Sequence, residues 1–169
     1  VAGSGQGELI EAVFGLRKPK TGTITYKGQD ITFATPKEKR EKKIGYVPQD
    51  RLATGCSTDC SLVENCIMGY HVAHRFRNPL LVNKKEAEDF TRKVVEQFQV
   101  KTQDIHDKMG TLSGGNIQKA IVGREFLQDN DLLIIEDPTR GIDVGAKYEI
   151  YLLMDQLANS GVKIGRAHV

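Results

Sequence analysis

Leu9, Ile10, Val13 and Phe14 recur at helical spacing, and this periodicity predicts a helix over residues 8–16 that ends before Pro19 and Gly22. The stretch GTITYKGQDIT alternates apolar and polar positions around Lys27-Gly28-Gln29-Asp30 and predicts a small hairpin or a pair of edge strands. TPKEKREKK is highly charged and predicts a solvated helix face. KIGYVPQD predicts a short strand running into a proline-marked loop, residues 62–70 a short helix, and HVAHRFRNPLLVN irregular chain. A clearer amphipathic helix follows over 84–98, through Ala87, Phe90, Val94 and Phe98. Another over 116–127 follows Gly114-Gly115. DLLIIED is wholly apolar before its two terminal acids, the pattern of a central parallel strand. Asp143 is placed to cap a last helix whose core face is Ala146, Ile150, Leu153, Met154 and Leu157. This order predicts an α/β core with a parallel sheet, antiparallel edge strands and a helical insertion at about 58–112.

Composition narrows the picture. A chain of 169 residues with 39% hydrophobic and 27% charged side chains can bury one core. A net charge of +2 gives no argument for nucleic acid or an anionic membrane surface. No apolar run is long enough to span a bilayer, so any membrane link is expected to run through a partner. Cys56, Cys60 and Cys66 are spaced C-x3-C-x5-C, which fits no common zinc pattern, and reduced thiols are expected. Both ends read as cut. Val1 falls inside a glycine-rich loop, and the last residues, IGRAHV, stand where a buried strand is expected. The division expected is one partial domain over 1–163 and a non-native tail over 164–169.

Three stretches carry candidate chemistry. In AGSGQGEL, Gly3, Ser4, Gly5, Gln6, Gly7 and Glu8 precede a helix, and glycines there let backbone N–H groups converge on an anion. The full phosphate loop needs a Lys and a Ser or Thr where Gln6 and Gly7 stand. A tight strand-to-helix turn explains this stretch equally well. In LSGGNIQKAIVGREF, Ser113, Gly114, Gly115 and Asn116 present a hydroxyl and bare amides at a helix start; an ordinary Ser cap leaves the paired glycines unexplained. In LLIIEDPTRGID, Glu136 and Asp137 end a buried strand, where α/β sheets bind ligands. One such carboxylate can hold Mg²⁺ and the next can orient a water.

Together these stretches resemble the ATP-binding subunit of ABC transporters, over essentially residues 1–163. LSGGN matches the signature motif, Glu136-Asp137 the Walker B end, Gly141-Ile142-Asp143 the D-loop, and YVPQD places Gln49 on the Q-loop. The resemblance implies a P-loop NTPase-like fold and assigns ATP and Mg²⁺ as cofactors. Gln49, Glu136 and Asp137 take catalytic positions, Gln49 and Glu136 the metal. The six loop residues, the four signature residues and Asp143 take the nucleotide. More closely, AGSGQGELIEAVFGLRKPKTGTI and DPTRGIDVGAKYEIY look like the second, degenerate half of a tandem importer ATPase for simple sugars or nucleosides, in which Gln replaces the Walker A lysine. FQVKTQDIHDKMGTLSGGNIQK leans toward the nucleoside branch. The implied partners are the first nucleotide-binding half of the same polypeptide, transmembrane permease subunits and, indirectly, an extracytoplasmic solute-binding protein. The implied place is the cytoplasmic face of the membrane. The chain departs from the family pattern in reading Glu-Asp rather than Asp-Glu at 136–137, which weakens hydrolysis by this half. A soluble non-transport ABC ATPase and a non-catalytic nucleotide-sensing module are the alternatives.

Overall fold

A computed structural model describes residues 5–78, 81–159 and 163–167. Three parallel strands form the central sheet, in the order β3 (Ile44–Val47), β6 (Leu132–Glu136), β7 (Lys163–Ala167). The fold is the expected α/β arrangement. β3 and β6 alternate between two cores, as the period of two requires. Ile44, Tyr46 and Ile134 pack with Ile10 and Phe14 of α1 (Gln6–Phe14). Val47, Leu133 and Ile135 face the larger core, which joins α3 (Leu62–Ile67), α4 (Lys84–Gln97), α5 (Gly114–Phe126) and α6 (Val144–Asn159). The expected 164–169 segment overlaps β7, whose residues from Leu132↔Lys163 to Glu136↔Ala167 pair in parallel with β6. Leu157 lies outside the described side chains; of the other expected core positions on α6, Ile150 and Met154 are fully buried.

Local sequence sets the helix starts. Thr35 with Glu38 and Ser61 with Glu64 form capping boxes at α2 (Pro36–Glu41) and α3. The hairpin is β1 (Thr25–Tyr26) and β2 (Gln29–Asp30), so the turn is Lys27-Gly28 alone. Three expectations need correction. The 36–41 run is not simply a solvated face. Lys39 is fully buried, and its Nζ donates to the carbonyls of Ala12 (3.2 Å) and Val13 (2.8 Å) in the last turn of α1, the former shared with the Gly15 amide. The stretch at 71–83 is not irregular throughout: it holds a 3₁₀ turn at His74–Phe76 and a short hairpin, β4 (Arg77–Asn78) with β5 (Leu81–Val82). Finally, helix α3 stops at Ile67 rather than reaching residue 70.

A buried polar knot ties α5 to its surroundings. Glu125 is fully buried and accepts from Arg124 Nε (3.0 Å), Arg40 Nη2 (3.4 Å), Tyr70 OH (2.6 Å) and the Tyr46 amide (3.3 Å). Arg124 also donates to the carbonyls of Gly55 and Asn65. A buried carboxylate is tolerated because every direction around it offers a donor. The knot therefore fixes α5 against α2, β3 and α3 together.

Candidate functional site

The expected site residues fall into two groups. The first surrounds the start of α1. Gly5 caps that helix in the left-handed region (φ 80°) and supplies no side-chain cap, so the first-turn amides after it are donors for an outside acceptor. Gln6 and Gly7 open the helix and Glu8 is exposed in its first turn; Gly3 and Ser4 lie outside the described residues. Glu136, at the end of β6, is 8% exposed and points here. A Cβ placed on Gly7 would stand 3.3 Å from Glu136 Oε1, while Oε2 accepts the Tyr46 hydroxyl at 2.8 Å. Burial, and then the bond and charge of Glu136, push the Tyr46 phenol well above its ordinary range. Asp137 follows with φ 33°, and its carboxylate accepts from Thr139 Oγ1 at 3.5 Å.

The second group surrounds the start of α5. Ser113 caps it: its Oγ accepts from the Asn116 amide (3.4 Å) and from Asn116 Nδ2 (2.9 Å). With both acceptor positions used inward, the hydroxyl proton is what Ser113 has left to offer. Asn116 is itself held, since its Oδ1 accepts from the Lys101 amide at 2.9 Å. The Ile117 amide bonds the Ser113 carbonyl, so the amides of Gly114 and Gly115 are the free end of the helix. Both glycines sit in close quarters, Gly115 the closer of the two. A Cβ on Gly115 would stand 2.9 Å from that of Ala146, and one on Gly114 would stand 3.0 Å from Arg51 Nη2. Asp143 caps α6 as expected, its Oδ2 accepting from the Ala146 amide at 2.9 Å, and this brings the 140–143 loop against Gly115. Gln49 lines an adjoining cleft of about 270 Å³ with Asp50, Arg51, Arg140 and Gly141.

Sequence reasoning missed Arg51, Tyr46 and the Glu125 knot. Nothing in the local sequence marks them; each acts through residues distant along the chain. Cys56 and Cys66 are buried free thiols, and burial pushes Cys66 up to about 11, which leaves it inert. No cluster of three potential metal-binding side chains from His, Cys, Asp and Glu occurs among the described residues. The Oε1 of Glu136 at the helix start is a hard oxygen donor, and it fits a divalent ion there, although Gly7 supplies no hydroxyl beside it.

A parallel sheet, a glycine-opened helix at a strand end and a second glycine-opened helix define a nucleotide-binding cassette. The chain belongs to the ABC transporter family, whose model matches residues 1–140. It is 43% identical over 146 residues to the guanosine import ATP-binding protein NupO of Bacillus subtilis, covering 86% of this chain and 29% of that one. It is 37% identical over 162 residues to the ribose import ATP-binding protein RbsA of Lactococcus lactis, covering 96% and 32%. The chain thus spans about a third of the length of these relatives. Among solved structures it resembles a nucleotide-free ATP-binding cassette from an ABC transporter (TM-score 0.75, 22% identity, 98% of this chain and 66% of that one). It also resembles a dimeric cassette in a post-hydrolysis state bound to ADP and Pi (TM-score 0.77, 18% identity, 98% and 70%). At these identities the likeness shows the fold.

Proposed function

We propose that this chain is the second nucleotide-binding half of an importer ATPase for a simple sugar or nucleoside, and that it supplies the signature end to ATP held by the first half. The observation that carries this reading is the Ser113 geometry. The hydroxyl accepts twice from Asn116 and so is turned to donate beyond the helix, next to two open amides. Gly3, Ser4, Gly5, Gln6, Gly7 and Glu8 shape a second, weaker site, because Gln6 brings no charge to a β/γ-phosphate. At that site Glu136 and Gln49 would hold Mg²⁺, which when bound neutralises charge on the phosphates. Asp137 takes the water-orienting position, one methylene shorter than Glu.

Permease subunits on the cytoplasmic face of a membrane are the partners this reading requires, with a solute-binding protein beyond them. Among the described residues no helix is long and apolar enough to cross a membrane. A groove of about 330 Å³ between α1, α2 and the segment after α3, lined by Phe14, Leu16, Pro36, Pro48 and Val72, offers an apolar seat for a permease segment. Arg40 and Arg124 line the same groove and tie it to α5 through Glu125. Movement of a partner in the groove would therefore reach the signature helix.

The test is steady-state ATP hydrolysis by the full-length protein in its assembled transporter. A hydrogen bond to a charged acceptor contributes about 1.5–3 kcal/mol, so Ser113→Ala should lower the rate roughly ten- to hundred-fold. Gln6→Ala should cost much less. If Gln6→Ala were the more damaging change, the two sites would be assigned the wrong way round.

A further inference from the structure

Two residues beyond Gln49, one guanidinium meets two separate segments. Arg51 opens the π turn Arg51–Gly55, which Asp50 caps by accepting from the amides of Leu52 (3.0 Å) and Ala53 (2.9 Å). From that fixed base Arg51 Nη1 donates to the Arg140 carbonyl (2.7 Å) and Nη2 to the Gly141 carbonyl (3.1 Å). The same Nη2 stands 3.0 Å from where a Cβ on Gly114 would be. Its Nε is buried with no hydrogen-bond partner among the described residues. A desolvated, unpaired N–H is costly, so this pose is held by what the two Nη groups gain. A planar fork can span two neighbouring carbonyls and still lie flat against a glycine; a lysine ammonium cannot.

We propose that Arg51 is a positioning residue for the signature end: it holds the 140–141 loop and the first turn of α5 in one register, so that the pose of Ser113 depends on the loop that follows Gln49. This rests on the reading of Ser113 given above. It adds that the phosphate-facing end is set from behind by a residue that touches no phosphate. A shift of the Gln49 loop carries Arg51 with it, and with Arg51 go both the D-loop carbonyls and the space beneath Gly114. It also gives Gly114 a second reason to lack a side chain.

The experiment measures ATP hydrolysis and thermal unfolding of the full-length protein carrying Ser113→Ala, Arg51→Ala, Arg51→Lys, Gly114→Ala or Arg51→Ala with Gly114→Ala. Arg51→Ala should lower kcat about tenfold with KM for ATP changed by less than about twofold, since ground-state binding is left alone. Arg51→Lys should fail to rescue it, and the melting temperature should stay within about 4 °C of the parent. Gly114→Ala should give a similar loss because its methyl needs the space of Nη2. The double variant should be no worse than Arg51→Ala, because the methyl fits once the guanidinium is gone. Losses that multiply in the double variant, a full rescue by Lys, or a loss matched by collapse of the melting temperature would each overturn the inference. A loss in Ser113→Ala with none in Arg51→Ala sinks this inference alone. A neutral Ser113→Ala sinks the reading beneath it and this inference with it.

Discussion

The starts of α1 and α5 are both opened by glycines, yet their surroundings differ: carboxylates stand at α1, and a guanidinium together with the Asp143 carboxylate stands at α5. At α1 the helix has no side-chain cap, and the nearest buried charge is the carboxylate of Glu136, with Glu8 in the first turn. At α5 Ser113 caps the helix, Asn116 holds Ser113, the guanidinium of Arg51 lies behind Gly114, and the Asp143 carboxylate lies 3.7 Å from where a Cβ on Gly115 would be. A helix N-terminus attracts anions through its open amides and dipole. A carboxylate beside it opposes that attraction and a cation supports it. The difference teaches that glycine-rich sequence alone does not make two helix ends alike; side chains brought in from elsewhere set the charge around each.

The hardest blow to this contrast is Gly115→Asp. A Cβ there would stand 2.9 Å from the Cβ of Ala146, and the new carboxylate would lie at the end we propose faces the phosphate. We expect hydrolysis by the full-length protein to fall more than about hundredfold, as for loss of a transition-state donor plus added repulsion. Gly115→Ala, which adds the clash without the charge, should fall between this and the parent. Equal effects of Ala and Asp, read in the same ATPase assay, would show that packing against α6 matters and charge does not.

Tyr46→Phe tests the other end. The ring still stacks on Phe14 at 4.7 Å, but Glu136 loses its hydroxyl donor. Removing a bond to a buried carboxylate should cost about 1–3 kcal/mol of stability near neutral pH. The pH dependence has a defined sign. The folded state holds the Tyr46 phenol protonated above its ordinary value of 10.0, by burial first and then by Glu136. The stabilisation it gives is therefore complete below about pH 10 and is lost as pH rises further. Tyr70, buried and bonded to Glu125, behaves alike. Urea midpoints from pH 8 to 11 should fall steeply above about pH 10 in the parent and less steeply in Tyr46→Phe. Parallel curves would show that Tyr46 does not carry the alkaline loss.

Periodicity was enough to place α4 and β6, because one buries a regular stripe and the other a continuous apolar run; α5, buried nearly all round, was marked instead by the glycine pair at its start. Ser113 to Asn116 and Asp143 were legible for a local reason too: a cap is a relation between residues three apart. What the sequence hid depends on distance along the chain. Lys39 looks solvent-facing within its charged run, and is buried because α2 lies across the C-terminal carbonyls of α1. Arg51 reads as an ordinary loop cation, and its partners are some ninety positions away. Hairpin β4–β5 has two residues per strand, too few for any alternation to show. Glu136 was read as a strand-end acid, but its bond to Tyr46 follows from the pairing of β3 with β6.

The smallest effect is expected where sequence comparison would suggest the largest gain, from Gln6→Lys. This change restores the charge that the Walker A pattern asks for. It does not restore the site. Gly7 still offers no hydroxyl, and Glu136 Oε1 already stands 3.3 Å from where a side chain at position 7 would begin. If the new ammonium reaches that carboxylate, one helix position away, it has an anion to pair with before any phosphate arrives, and the added charge is largely spent within the protein. Hydrolysis by the full-length protein should therefore change by less than about threefold, a difference of under 1 kcal/mol in barrier. The number of nucleotides retained per chain after gel filtration should stay the same. Adding Glu136→Gln to Gln6→Lys removes the competing anion and should raise nucleotide retention without raising turnover, because the ligand for the metal is lost with it. If Gln6→Lys alone made the chain retain a second nucleotide, the single missing charge would account for the weak end, and the carboxylate of Glu136 would have no part in the contrast.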